Sequence, residues 1–233
     1  MSRAIGPILV CLLLTNLIWA KTEPTVLLNG VVLDAQTRKP LTAKLTFFDR
    51  RGNKVNETRS NAAEQGKYQC ILKPREQYDV EFQTDGYMRW REAISTPDVS
   101  RPIELSRDFV LMPKVSGRRL LVSVPLFEHQ SARFRVGIDE RLSQYVQLLQ
   151  LNPDIGFAIE CYPDKPDTAD KMATLSGQRA DSIIAYFRRR GISPSRLEPL
   201  QITSTDPYNP PPRRLRPKGR FYYGGTYFTI RVK

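Results

Sequence analysis

The period of hydrophobic alternation changes once along this chain, and that change constrains the fold more than any other feature. From Val26 to about Leu111, apolar side chains recur every second residue. Leu45 and Phe47 alternate with Lys44 and Thr46; Tyr78, Val80 and Phe82 alternate with Asp79 and Glu81. Period two marks strands that bury one face. The polar turn segments "DAQTRKP", "DRRGN", "AEQGK", "KPREQ" and "TDGY" separate these runs. Short strands at this spacing predict an antiparallel β-sandwich.

"MPKVSGRR", from Met112 to Arg119, carries Pro, Gly, Ser and charge and reads as a linker. Beyond it, strands alternate with helices. "LLVSVPLF" predicts a strand. "IDERLSQYVQLLQLNP" predicts a helix with Leu142, Tyr145, Val146 and Leu149 on one face, ended by Pro153. "IGFAIECY" reads as a strand. "LSGQRADSIIAYFRRRGI", residues 175–192, reads as an amphipathic helix stopped by Gly191 and Pro194. "LEPLQIT" and "TYFTIRV" supply two final strands. The order strand, helix, strand, helix, strand, strand predicts an α/β sandwich with helices on one mixed sheet.

The first twenty residues are read apart from the fold. Arg3 and the apolar run "PILVCLLLTNLIW", followed by Ala20, have the layout of a cleaved secretory signal peptide. Cys11 sits inside that run after Val10, which does not suit a lipid-anchor site. The reading therefore divides the chain into a signal peptide (1–20), a β-sandwich (21–112), a linker (113–119) and an α/β unit (120–233). No transmembrane segment is expected in the mature chain, which is placed in the periplasm. A net charge of +12 in an exported protein suggests anionic company such as wall polymer or lipid headgroups. No nucleic-acid-reading motif is present.

Catalytic and metal chemistry find little support. The single histidine, His129, cannot furnish a histidine-based triad or a zinc site. Asp164, Asp167 and Asp170 lack the spacing of a calcium loop, so no metal and no cofactor are expected. Cys70 and Cys161 lie in alternating apolar runs and read as buried free thiols. Asp34 reads as a turn-former. No nucleophile–base pairing can be assembled, and an enzyme is not expected.

Two resemblances add to this reading. "NGVVLDAQTRKPLTAKLTFFD", "GKYQCIL", "YDVEF" and "DGY" resemble the carboxypeptidase-regulatory-like, transthyretin-like sandwich, which implies a spacer or adaptor. "NPDIGFAIECYPD", ending on Asp164, and "LSGQRADSIIAYFRRRGI", containing Arg179, resemble the OmpA-like peptidoglycan-binding domain, with the spacing between the two residues kept. That resemblance implies that Asp164 takes the ammonium of diaminopimelate and Arg179 its carboxylate. A planar guanidinium fork suits the second role and lysine does not. Tyr162, Met172, Arg213, Arg214 and Arg216 are accessory candidates. The pattern is broken at four positions, where Cys161, Pro163, Met172 and Gly225 stand for the family's Gly, Thr, Asn and Asn. The alternative for Asp164 and Arg179 is an ion pair with each other. The expected partners are peptidoglycan and an envelope protein. The competing reading is an adaptor that has lost its wall ligand and binds protein through the basic, Pro-rich loop 205–225.

Overall fold

Alternating side chains need a second sheet to cover their apolar face, and the N-terminal half supplies it. The computed structural model describes residues 24–212 and 221–232. Its strands are β1 (Val26–Asp34), β2 (Lys44–Phe48), β3 (Lys54–Arg59), β4 (Lys67–Leu72), β5 (Gln77–Gln83), β6 (Trp90–Ser95), β7 (Ile103–Ser106) and β8 (Phe109–Leu111). One sheet runs β3-β2-β5-β6. The other joins β4, β1 and β7, with β8 on the later part of β1. Leu45, Phe47, Val80 and Phe82 from the first meet Leu28, Val32, Tyr68 and Phe109 from the second in one buried cluster. β1 pairs with β7 and β8 in parallel, so this sheet is mixed where an all-antiparallel one was expected. The return to β1 is a long crossover rather than a hairpin, which permits parallel pairing.

The C-terminal half contains β9 (Arg119–Leu121), α1 (Asp139–Leu151), β10 (Ile155–Cys161), α2 (Ala169–Arg189), β11 (Leu197–Leu200) and β12 (Thr226–Val232). The sheet order is β11-β10-β12-β9, with β10 and β11 parallel and the other pairs antiparallel. β10 is buried at all seven positions because it is central and covered on both faces. Leu142, Val146 and Leu149 of α1 and Ala180, Ile183 and Phe187 of α2 pack on Phe157, Phe228 and Ile230. The strand expected over "LLVSVPLF" stops after Leu121. Pro125 cannot continue the ladder, and Phe127 instead bridges to Phe134 across a tight hairpin.

Contacts cross between the two halves. Met88, from the sandwich side, is buried in the C-terminal core. The buried Asn152 amide receives the Arg89 N–H at 2.9 Å and donates to the Arg89 carbonyl at 2.9 Å, copying a strand partner. Lys114, in the expected linker, pairs with Asp154 at 2.8 Å. Asn152 therefore does more than end α1; it ties the helix end to the other half.

Candidate functional site

Helix geometry brings Arg179 inward. Ser176, Arg179, Ala180, Ile183 and Phe187 recur at three- and four-residue steps and form the buried face of α2. The sequence places Arg179 at the margin of the apolar stripe. In the fold its side chain is 2 % exposed, and that of Asp164 is 1 %. Asp164 follows β10 by three residues, at the sheet end that α2 covers.

The two groups meet as a bidentate pair. Nη2 lies 2.6 Å from Asp164 Oδ2, and Nη1 lies 3.2 Å from Oδ1. The remaining N–H groups of Arg179 donate to backbone carbonyls: Nε to Ser131 at 2.9 Å, Nη1 to Tyr162 at 2.9 Å and Nη2 to Glu128 at 3.4 Å. A guanidinium has five N–H donors, and each has an acceptor here. Asp164 also accepts the Gln130 N–H at 2.6 Å on Oδ2 and the Gly224 N–H at 3.0 Å on Oδ1. Its lone-pair positions are filled as well. The Phe127 ring lies 5.1 Å from the guanidinium carbon, adding a cation–π contact.

Two segments close over the pair. The Phe127–Phe134 hairpin stacks its two rings at 5.1 Å, turns through Gln130 in the left-handed region and is pinned by a Glu128–Arg133 ion pair. The approach to β12 supplies Gly224. A Cβ there would sit 2.1 Å from the Tyr162 carbonyl, so only glycine lets this backbone reach Asp164. His129 joins the segments, 4.5 Å from the Phe221 ring and edge-on to Tyr223 at 5.9 Å.

The other candidates divide. Tyr162 meets Arg179 through its carbonyl alone. Its hydroxyl donates to Glu160 at 3.2 Å, on the far side, and its ring packs edge-on to Tyr227. Met172 is buried on α2, seven residues before Arg179 and so about 10 Å away along the axis. It stands one helical stretch away from the pair, on the same buried side of α2. Arg213, Arg214 and Arg216 lie outside the described residues, as does the expected signal peptide.

The broken motif positions have local reasons. Cys161 is fully buried, and burial pushes its thiol up to about 12, so it stays protonated. Gly225 lies against the buried Asp206; a Cβ would be 2.4 Å from its Oδ2. Asp206 in turn accepts from Tyr227 Oη at 2.9 Å and from the Tyr208 amide at 2.9 Å. The loop after residue 205 is thus anchored at both described ends, since Tyr222 Oη donates to the Asn209 carbonyl. Glu128, Gln130, Ser131 and Gly224 went unread in the sequence because they act through backbone atoms. The Gly224-Gly225 pair was the single textual hint.

Residues 126–212 match the OmpA family, and this part of the chain is an OmpA family domain. Among solved structures, the peptidoglycan-associated lipoprotein from Burkholderia pseudomallei is 15% identical, with a TM-score of 0.39, over 46% of this chain and 88% of that one. The Bacillus anthracis TIE protein is 17% identical, with a TM-score of 0.33, over 39% of this chain and 18% of that one. The 3-chlorocatechol 1,2-dioxygenase from Rhodococcus opacus is 12% identical, with a TM-score of 0.32, over 40% of this chain and 61% of that one. This chain spans less than two thirds of the length of the last two. At such scores these likenesses carry no argument about function. None of the curated proteins matches this chain.

Proposed function

We propose that this chain is an exported, non-enzymatic binding protein of the cell envelope that docks on peptidoglycan through its OmpA family domain. The observation that carries the reading is the Asp164–Arg179 pair, set between β10 and α2 inside the stretch that matches the family. The diaminopimelate of the stem peptide is the finer part of the proposal. Its free end offers an ammonium and a carboxylate side by side. The ammonium replaces the Gln130 and Gly224 amides at Asp164, and the carboxylate replaces the Glu128 and Ser131 carbonyls at Arg179. Each exchange turns a bond with one charged partner into a bond between opposite charges, and ionic partners at both ends make the stronger contact. Entry requires the 127–134 hairpin to lift, because the hairpin supplies three of those four internal partners. The sandwich serves as a spacer that tethers a larger envelope complex to the wall.

The complete internal satisfaction of the pair favours a second reading. In it the pair is purely structural and the chain is an adaptor for an envelope protein. Titration with free meso-diaminopimelate, followed by the Arg179 Nε–H and Gly224 amide resonances, separates the two. The wall-binding reading expects both resonances to shift with meso-diaminopimelate and to stay put with 1,5-diaminopentane, which keeps the ammonium groups and lacks the carboxylates. Unmoved resonances, together with no co-sedimentation on purified sacculi, would leave the adaptor reading in place.

A further inference from the structure

Away from the ion pair, a cleft of about 370 Å³ opens along the seam between the two halves. Met88, Trp90 and Val110 form one wall, and Leu121 and Tyr145 form the other. Trp90, Val110 and Leu121 are 39%, 47% and 55% exposed, a concentration of exposed large apolar side chains around one cavity. Apolar surface gathered in this way marks binding surfaces, and junctions between domains are common places for them.

Backbone geometry narrows the occupant. All three residues of β9 line the cleft, although their side chains alternate between the two faces of the sheet. The cleft therefore runs along the open edge of β9, the last strand of its sheet. Ile230 donates to the Arg118 carbonyl at 2.8 Å, and Val122 donates to the Thr226 carbonyl at 2.9 Å. With alternating antiparallel bonding, those contacts turn the N–H and C=O groups of Arg119 and Leu121 away from β12. Of these, the Leu121 carbonyl accepts the Tyr145 hydroxyl at 3.4 Å, a long bond that an incoming strand's N–H would replace. An edge of this kind is a template for another strand.

Charge supplies the final constraint. No carboxylate is among the described residues that line the cleft. Arg89 and Arg118 adjoin lining residues in the chain, and Arg141 sits one turn before Gln144 and Tyr145 on α1, where Glu140, one turn before Gln144, is the single carboxylate at the same spacing. Among the described residues none of these three arginines is in an ion pair. We propose that the seam binds an extended peptide segment of a protein partner, apolar on alternate residues and flanked by acidic ones, which adds as a strand to β9. This surface is separate from the Asp164–Arg179 site, and the proposal does not depend on wall binding.

The test uses the full chain carrying Trp19→Phe, which leaves Trp90 as its sole tryptophan. The probe is a peptide with an alternating valine–threonine core and glutamate pairs at both ends. Binding should shift Trp90 emission to the blue and slow hydrogen exchange at the Arg119 and Leu121 amides at least tenfold. Lysine-flanked and alternately N-methylated peptides should bind at least tenfold more weakly. Leu121→Pro removes one edge donor and should abolish binding. Val110→Glu, on the opposite wall, should weaken it tenfold and serves if the proline variant does not melt like the parent. Three results would overturn the proposal. One is no Trp90 response to the acidic peptide. Another is an equal response to dodecanoate without slowed amides, which would make the seam an acyl site. The third is amide protection that rises with protein concentration alone, which would make the occupant a second copy.

Discussion

The ion pair beneath the 127–134 hairpin and the seam along β9 are opposite cases. At the pair, every donor of Arg179 and every acceptor position of Asp164 is used within the chain, and both side chains are buried. At the seam, β9 is an edge strand whose backbone meets only the Tyr145 hydroxyl at Leu121, and large apolar side chains are exposed. The pair carries the recognisable motif, and the seam carries none. A motif marks where charged chemistry sits, whereas unspent surface marks where something further can bind. In this protein the two marks fall at different places.

The largest expected effect tests whether the pair holds the domain together. Arg179→Ala leaves Asp164 charged and buried, which should cost about 3–5 kcal/mol of stability in denaturant unfolding. The double variant Asp164→Leu, Arg179→Met should recover much of that loss, because an apolar pair can replace a buried ionic one. A loss under about 1 kcal/mol in Arg179→Ala would mean that water or a rearranged hairpin reaches the pair readily.

Next is the tie between the halves. Asn152→Ala strips both Arg89 backbone groups of their partner, and an unsatisfied buried polar group costs about 1–3 kcal/mol. The variant should split a single melt into two, read by Trp90 for the sandwich and by far-ultraviolet circular dichroism for the helices. A melt that stays single would show that the Met88 contact and the Lys114–Asp154 pair suffice to couple them.

A smaller effect concerns the acid limb of the sandwich. Asp34 accepts the Thr37 and Gln36 amides at 2.6 and 2.7 Å and the Tyr87 hydroxyl at 2.6 Å. The Thr37 amide, followed by the Tyr87 hydroxyl, lowers its carboxyl to about 2. An unfolded aspartate titrates near 3.9. The folded state thus binds this proton less readily, and the stabilisation is full above about pH 4 and fades as pH falls toward 2. Asp34→Asn should flatten thermal stability across that window, while leaving its slope above pH 5 unchanged.

The smallest expected signal is chemical. Burial raises the Cys70 thiol to about 11 and the Cys161 thiol to about 12, so neither supplies thiolate at neutral pH. Both should resist a thiol reagent in the folded chain and react once it unfolds. Rapid labelling of Cys161 in the native chain would show that the core beneath the pair opens.

Periodicity made much of this architecture legible. Strands β2 and β5, helices α1 and α2, and strand β12 follow from side-chain alternation, because each must bury one face or one stripe. The resemblance to the OmpA-like domain also pointed to Asp164 and Arg179, since a motif of that kind is written in side chains. Local pattern could not disclose what the backbone does. The carbonyls of Glu128 and Ser131 and the amides of Gln130 and Gly224 have no residue code, and they are what close the site. Likewise "NP" reads as a helix stop, but only the packed fold sets Asn152 against Arg89, 63 residues away. The sequence by itself determined which faces must be buried and which two charges belong to the site, and left open whether they meet a ligand or each other. Tertiary structure alone decided that Asp164 and Arg179 are enclosed and that the edge of β9 is not. Enclosure depends on which distant backbone segments arrive at a group, and hydrogen bonds between main-chain atoms can be made by nearly any residue.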